Sequence, residues 1–172
     1  MKKSRLFYIV IILVAFIIIT SITLVFMIFL QKSKANEHET VAKAVLTKTY
    51  GATLKDYENL TNALIQSTKN NEMLVDYIKE KYGEQLTDNG YTRFLSSRVA
   101  LTAAKFANEE NSDLKVSSIE LEPEAAVAGG KRFDFIVQVH ATKDDAKAFT
   151  FEGSISLIHE DGHWKVDGIT PL

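Results

Sequence analysis

Cysteine is missing from all 172 residues. That excludes a disulfide framework and a lipid-modified cysteine, and it is compatible with either side of a membrane. Proline is almost as scarce. Pro123 and Pro171 are the only two, so no proline-rich linker divides the chain. Low-complexity tracts and internal repeats are absent. There is no nucleophile elbow, phosphate loop or dinucleotide fingerprint. Gly129-Gly130 is a glycine pair that a strand connection explains. The last absence is local: from Leu6 to Leu30 there is no charge, no proline and no glycine.

That apolar run is the most informative segment. Thr20, Ser21 and Thr23 interrupt it, and their hydroxyls can bond back to carbonyls of the preceding turn. At 1.5 Å per residue its length is about 37 Å, against a hydrocarbon core of roughly 30 Å. The expectation is a transmembrane helix with its ends at Leu6 and Leu30, in contact with the lipid bilayer. Lys2, Lys3 and Arg5 precede it; Lys32 and Lys34, then Glu37 and Glu39, follow. The positive-inside bias predicts a cytoplasmic tail over 1–5 and an extracytoplasmic bulk. Ser33-Lys34-Ala35 resembles a signal-peptidase pattern, but secretory apolar regions run to about 7–15 residues. An uncleaved anchor in the cell membrane is therefore expected, with a juxtamembrane connection over 31–38 and one domain over 39–172.

All 22 acidic residues follow the run, and they face 17 of the 20 basic ones, a formal charge of −5. An acidic surface argues against sequence-independent nucleic-acid binding and against flat adhesion to anionic lipid.

The first half of the domain has a period of 3.6. Val41, Ala44, Val45 and Thr49 share a stripe that predicts a helix from Glu39, stopped at Tyr50-Gly51 with Gly51 in a left-handed cap. Thr53-x-x-Asp56 reads as a capping box variant. It opens a helix bearing Leu54, Tyr57, Leu60, Leu64 and Ile65. After the polar break Lys69-Asn70-Asn71, a helix with Leu74, Tyr77, Ile78 and Tyr82 stops near Gly83. A last helix carries Tyr91, Phe94, Leu95, Arg98, Val99, Thr102 and Phe106 on one stripe.

After Asn111 the period becomes 2. Phe133, Phe135, Val137 and Val139 alternate with Arg132, Asp134, Gln138 and His140, with Ile136 as the apolar exception. Phe149, Phe151, Ile155 and Leu157 form the next apolar row. Asp161-Gly162 predicts a type I′ hairpin, which pairs Leu157 with Val166 and His159 with Trp164. Leu114 and Val116 differ in parity from Ile119 and Leu121, and a bulge near Ser117-Ser118 reconciles them. Helices followed by an antiparallel meander with one oily face predict an α+β domain, its helices covering that face.

The helical first half, the long antiparallel strands and the ending Asp161-Gly162-His163-Trp164-Lys165-Val166-Asp167-Gly168-Ile169 resemble the nuclear transport factor 2-like (cystatin-like) superfamily over Glu39 to Ile169. The resemblance implies helices on a curved sheet that forms a cone. Together with the single anchor, the layout resembles the bitopic assembly subunits of type IV secretion and conjugation systems, small versions of which occur in Gram-positive conjugative elements.

Some superfamily members hold catalytic groups in the cone, so titratable groups on the oily face matter. His159 is the strand candidate, at the rim, and Arg98 the clearest helical one. Phe133, Phe135, Phe151 and Trp164 would line a pocket for a small apolar ligand, but period-2 aromatics more often form ordinary core. The cluster His140, Gln138, Glu152 and Asp134 falls on the outer face by parity. No His spacing suits a metal; no catalytic residue and no cofactor is expected. The leading expectation is a non-enzymatic interaction or scaffold module that self-associates or joins other membrane-complex proteins. The alternative is ligand binding or catalysis in the cone. Trp164 is expected to be structural core, with its indole N–H bonded or at the rim.

Overall fold

The alternation of Arg132 to Thr142 becomes a strand whose every second side chain is buried. The computed structural model describes residues 37–66, 72–124 and 129–172. The apolar run Leu6 to Leu30 and the break Lys69-Asn70-Asn71 lie outside them. Among the described residues no helix is long and apolar enough to cross a membrane. Five helices precede four strands there: α1 (Glu37–Tyr50), α2 (Leu54–Gln66), α3 (Glu72–Tyr82), a 3₁₀ turn (Gly83–Gln85), α4 (Asp88–Ser97) and α5 (Val99–Glu109). The strands are β1 (Leu114–Pro123), β2 (Gly130–Ala141), β3 (Asp144–Glu160) and β4 (His163–Pro171). They form one open antiparallel sheet in the order β1-β2-β3-β4.

The register is the one the pattern demands. Val137 faces Ile119 on one side and Phe151 on the other. Leu157 pairs with Val166 and His159 with Trp164. The turn between β3 and β4 has positive φ at both Asp161 (52°) and Gly162 (82°), as a type I′ turn requires. Val116 pairs with Val139 and Ser118 with Gln138, so Ser117 is the extra residue of a bulge. Its hydroxyl donates to the Gln138 carbonyl at 3.0 Å. The bulge turns Ile119 and Leu121 to the side already taken by Leu114 and Val116, and all four pack with the core.

Helices α1 and α5 close the inner face. Tyr50 of α1 meets Phe151 and Phe135 at 4.8 and 5.7 Å between ring centroids. Phe106 of α5 meets Phe149 and Phe151 edge-on at 4.6 and 5.7 Å. Ala100, Ala103, Ala104 and Ala107 form the buried stripe of α5, small enough to let its backbone approach closely. One apolar cluster joins these helices, the sheet, and Leu60, Ile78, Tyr82 and Phe94 of α2, α3 and α4.

Two helix ends depart from expectation. Gly51 is not left-handed; among the described residues the positive-φ glycines are Gly83, Gly129 and Gly162. A Cβ at Gly51 would lie 2.7 Å from the Thr47 carbonyl oxygen, so close approach, not a φ preference, calls for glycine there. The single helix expected through Arg98 is instead two. Arg98 sits between α4 and α5 with φ 55° and ψ 22°.

Candidate functional site

The six singled-out residues fall in three places. Phe133 and Phe135 are ordinary core, 3% and 2% exposed. Phe151 is half-buried beneath Tyr50 and Phe106. Trp164 is half-buried at the rim. Its ring is 5.3 Å from His159, its cross-strand neighbour, and 5.3 Å from His38 of α1. His38 also stacks on Phe133 at 5.5 Å. One end of the sheet thus carries an aromatic rim of Phe133, His38, Trp164 and an exposed His159. The outer edge of Trp164 meets a shallow concavity of about 220 Å³ with Glu84, Gln85, His163 and Lys165. A histidine two residues into a helix carries no periodic signal, so the residue pattern does not place His38 at this rim.

Arg98 is the correction. A left-handed break takes it out of the core-facing stripe, and its side chain is exposed. It lines a separate cavity within the helical layer, whose lining includes neither His159 nor any of the four aromatics. His159 and Arg98 therefore do not converge on one ligand. The reason is local: Ser96-Ser97 are poor helix formers, and α4 is held to β4 while α5 lies on the inner face. Each half keeps a helical period, so periodicity alone cannot see the break.

What holds α4 is a polar junction that pairwise spacing hides. Asp167 is the bulged residue of β4, since Leu157 pairs with Val166 and Ser156 with Gly168. Its carboxylate accepts from the Thr87 hydroxyl at 2.9 Å and from the Asn89 amide at 3.1 Å, and pairs with Arg93 at 3.3 Å. Thr87 also caps α4, accepting from the Gly90 N–H at 2.8 Å, while its own N–H donates to the Val166 carbonyl at 3.0 Å. A Cβ at Gly90 would lie 2.4 Å from that same carbonyl oxygen, so only glycine lets α4 sit this close.

A second junction ties α2 to α3. The capping box is formed: Thr53 N–H donates to Asp56 at 2.8 Å, and Asp56 N–H donates to the Thr53 hydroxyl at 3.1 Å. The same carboxylate accepts from the Tyr77 hydroxyl and from Lys81 at 2.9 Å. Burial opposes ionisation of Asp56, but the hydrogen bonds from Tyr77, Lys81 and the Thr53 backbone, with the Lys81 charge, outweigh it and hold the carboxyl at about 2. Tyr50 is the opposite case. Its hydroxyl is buried without a hydrogen-bond partner among the described residues, and burial pushes its pKa up.

The outer face of the sheet is polar, as parity requires. Asp134, Gln138 and Glu152 are exposed there. Ile136 is 36% exposed and stands between Glu120 of β1 and Glu152 of β3. Among the described residues no group of three or more His, Asp or Glu could hold a metal ion.

No family model matches the chain, and no curated protein matches it. A periplasmic fragment of TraM is a structural neighbour: the match covers 80% of this chain and 96% of that one, at 10% identity and a TM-score of 0.46. A likeness at that level says nothing of activity or partners.

Proposed function

We propose that this chain is a non-enzymatic interaction module, anchored in the cell membrane by Leu6 to Leu30 with its α+β domain on the extracytoplasmic side. We read the domain as nuclear transport factor 2-like, and its role as that of an assembly subunit in a conjugation or type IV secretion-like complex. The layout of one anchor followed by one small domain supports that reading by architecture alone.

The observation that carries the interaction role is the contrast between the two faces of the sheet. The inner face is spent on packing: Phe133, Phe135, Val137, Val139, Ile155 and Leu157 are all buried. The outer face offers an apolar anchor, Ile136, ringed by Glu120, Asp134, Gln138 and Glu152. An apolar centre with a polar rim is the anatomy of a protein interface. The candidate acid–base groups, His159 and Arg98, lie apart, which leaves the catalytic reading without a paired donor and acceptor.

The test is chemical crosslinking of the full chain in native membranes. Oligomers or a heteromeric species are expected, and Ile136→Asp should abolish them while leaving the thermal midpoint of the protein unchanged. A strictly monomeric, partner-free protein would overturn the proposal.

A further inference from the structure

Two cavities of about 370 Å³ each are present, and they differ in how their cations are used. The first lies wholly within the helical layer. Its wall is Leu60 and Leu64 of α2, Leu74 and Ile78 of α3, Phe94 and Leu95 of α4, and Leu101 of α5, with Ala100, Thr92, Ser96 and Arg98 completing it. The second lies between α4 and the outer face and includes Arg93 and Arg132. Those two arginines are already engaged. Arg93 pairs with Asp167 at 3.3 Å and Arg132 with Glu124 at 2.7 Å. Neither is available to a ligand without breaking an existing pair.

Arg98 is different. Among the described residues its guanidinium makes no hydrogen bond and no ion pair. The backbone holds it in a conformation that costs an L-residue energy and that glycine adopts freely. The other polar groups of the wall are turned to their own helix: Thr92 donates to the Asp88 carbonyl at 3.2 Å and Ser96 to the Arg93 carbonyl at 3.0 Å. A large apolar cavity with one uncommitted cation at its wall matches a ligand with an apolar chain and one anionic head. The volume lies within the roughly 300–1,000 Å³ of small-molecule sites, which are mostly apolar with a few placed polar groups.

We infer that the helical-layer cavity binds a single-chain amphiphile with an anionic head, of the long-chain carboxylate class, the chain lying among Leu60, Leu64, Leu74, Ile78 and Leu95 and the head on Arg98. This is a separate site from the aromatic rim, and it stands whether or not the outer face docks a partner. The neutral leucine and isoleucine walls supply chain-length tolerance; the charge at Arg98 supplies selectivity for an acid over an alcohol or ester.

The experiment uses the full chain in zwitterionic nanodiscs with a diazirine-bearing palmitate, with crosslinked peptides mapped by mass spectrometry. Labelling is expected in peptides containing Leu60, Leu64, Leu74 or Leu95, displaced by excess palmitate and not by its methyl ester. Arg98→Gln should lower the labelling about ten- to hundredfold, the worth of one charge-assisted hydrogen bond. Arg98→Lys should retain most of it. Arg98→Gly should lower it equally while the thermal midpoint stays level or rises, because glycine relaxes the left-handed backbone. That combination distinguishes a lost head-group contact from misfolding. Labelling confined to Leu6 to Leu30, equal displacement by the methyl ester, or labelling indifferent to Arg98→Gln would each overturn the inference.

Discussion

The sheet with its two covering helices and the outer helical layer are held together by different forces. Between α1, α5 and the inner face, contacts are dry and aromatic: Tyr50 on Phe151, Phe106 on Phe149. Helices α2, α3 and α4 share the apolar cluster through Leu60, Ile78, Tyr82 and Phe94, and two carboxylates add polar junctions that the inner face lacks among the described residues. Asp56 gathers Thr53, Tyr77 and Lys81; Asp167 gathers Thr87, Asn89 and Arg93. Apolar contact holds no titrating group, whereas the Asp56 hub is centred on a carboxyl whose ionised form the fold favours. The lesson is that the carboxyl with a depressed pKa lies in the helical layer, and the large helical cavity lies in that same layer.

Four measurements would break or sharpen that contrast. Phe135→Ala empties a fully buried site on the dry side and should cost about 3–5 kcal/mol. Ile136→Ala, one residue along the same strand, should cost no more than about 0.5 kcal/mol. Equal losses in chemical denaturation would mean that the two faces are not distinct. Trp164→Ala comes next. Because the ring is only half-buried, against His38 and His159, the expected loss is about 2 kcal/mol, below the range for a fully buried Trp. A midpoint that does not move would remove the rim from the structural account.

Acidification probes the other side. The Asp56 carboxyl is depressed from 3.8 to about 2, so its ionised form is favoured by folding. Its stabilisation is complete above about pH 4 and is lost as pH falls toward 2. After allowance for solvent screening it amounts to about 1–2 kcal/mol. Denaturation midpoints between pH 5 and pH 2 should show this step in the wild type and lack it in Asp56→Asn. Hydrogen exchange over the same range should loosen α2 and α3 before β2 and β3. The reverse order would refute the division. The last effect is a gain, at the contact of α1 with the inner face. Tyr50→Phe removes a buried hydroxyl that has no partner among the described residues and should stabilise by about 1 kcal/mol. A loss of stability would show that the hydroxyl is satisfied after all.

Most of the β half could be read from the chain because strand faces repeat every two residues and a slip of one would invert them. The Ser117 bulge was visible as a change of parity, and the Asp161-Gly162 turn as a dipeptide with a required backbone. The Thr53–Asp56 box was visible because both partners sit within one turn. What escaped depends on long separations. Thr87 and Asp167 are 80 residues apart and Lys81 and Asp56 are 25, and no local pattern announces such pairs. Arg98 escaped for a different reason. A single left-handed residue rotates one helix against the next and leaves the apolar period intact on both sides, so a broken helix reads as a continuous one. The aromatic residues of the pocket reading were assigned to the correct face, yet the face was already full.

The open side of β1 has a further consequence. Among the described residues no strand pairs with that side, since β1 ends the sheet. An incoming chain seeking to extend the sheet would find no long uniform template. The bulge at Ser117 divides the strand into two short ladders, Pro123 offers no amide hydrogen, and Lys115, Glu120 and Glu122 are exposed along it. These are the devices by which native sheets resist end-to-end polymerisation. Copies at high concentration would meet often, and this edge would let them collide without fusing into a fibril.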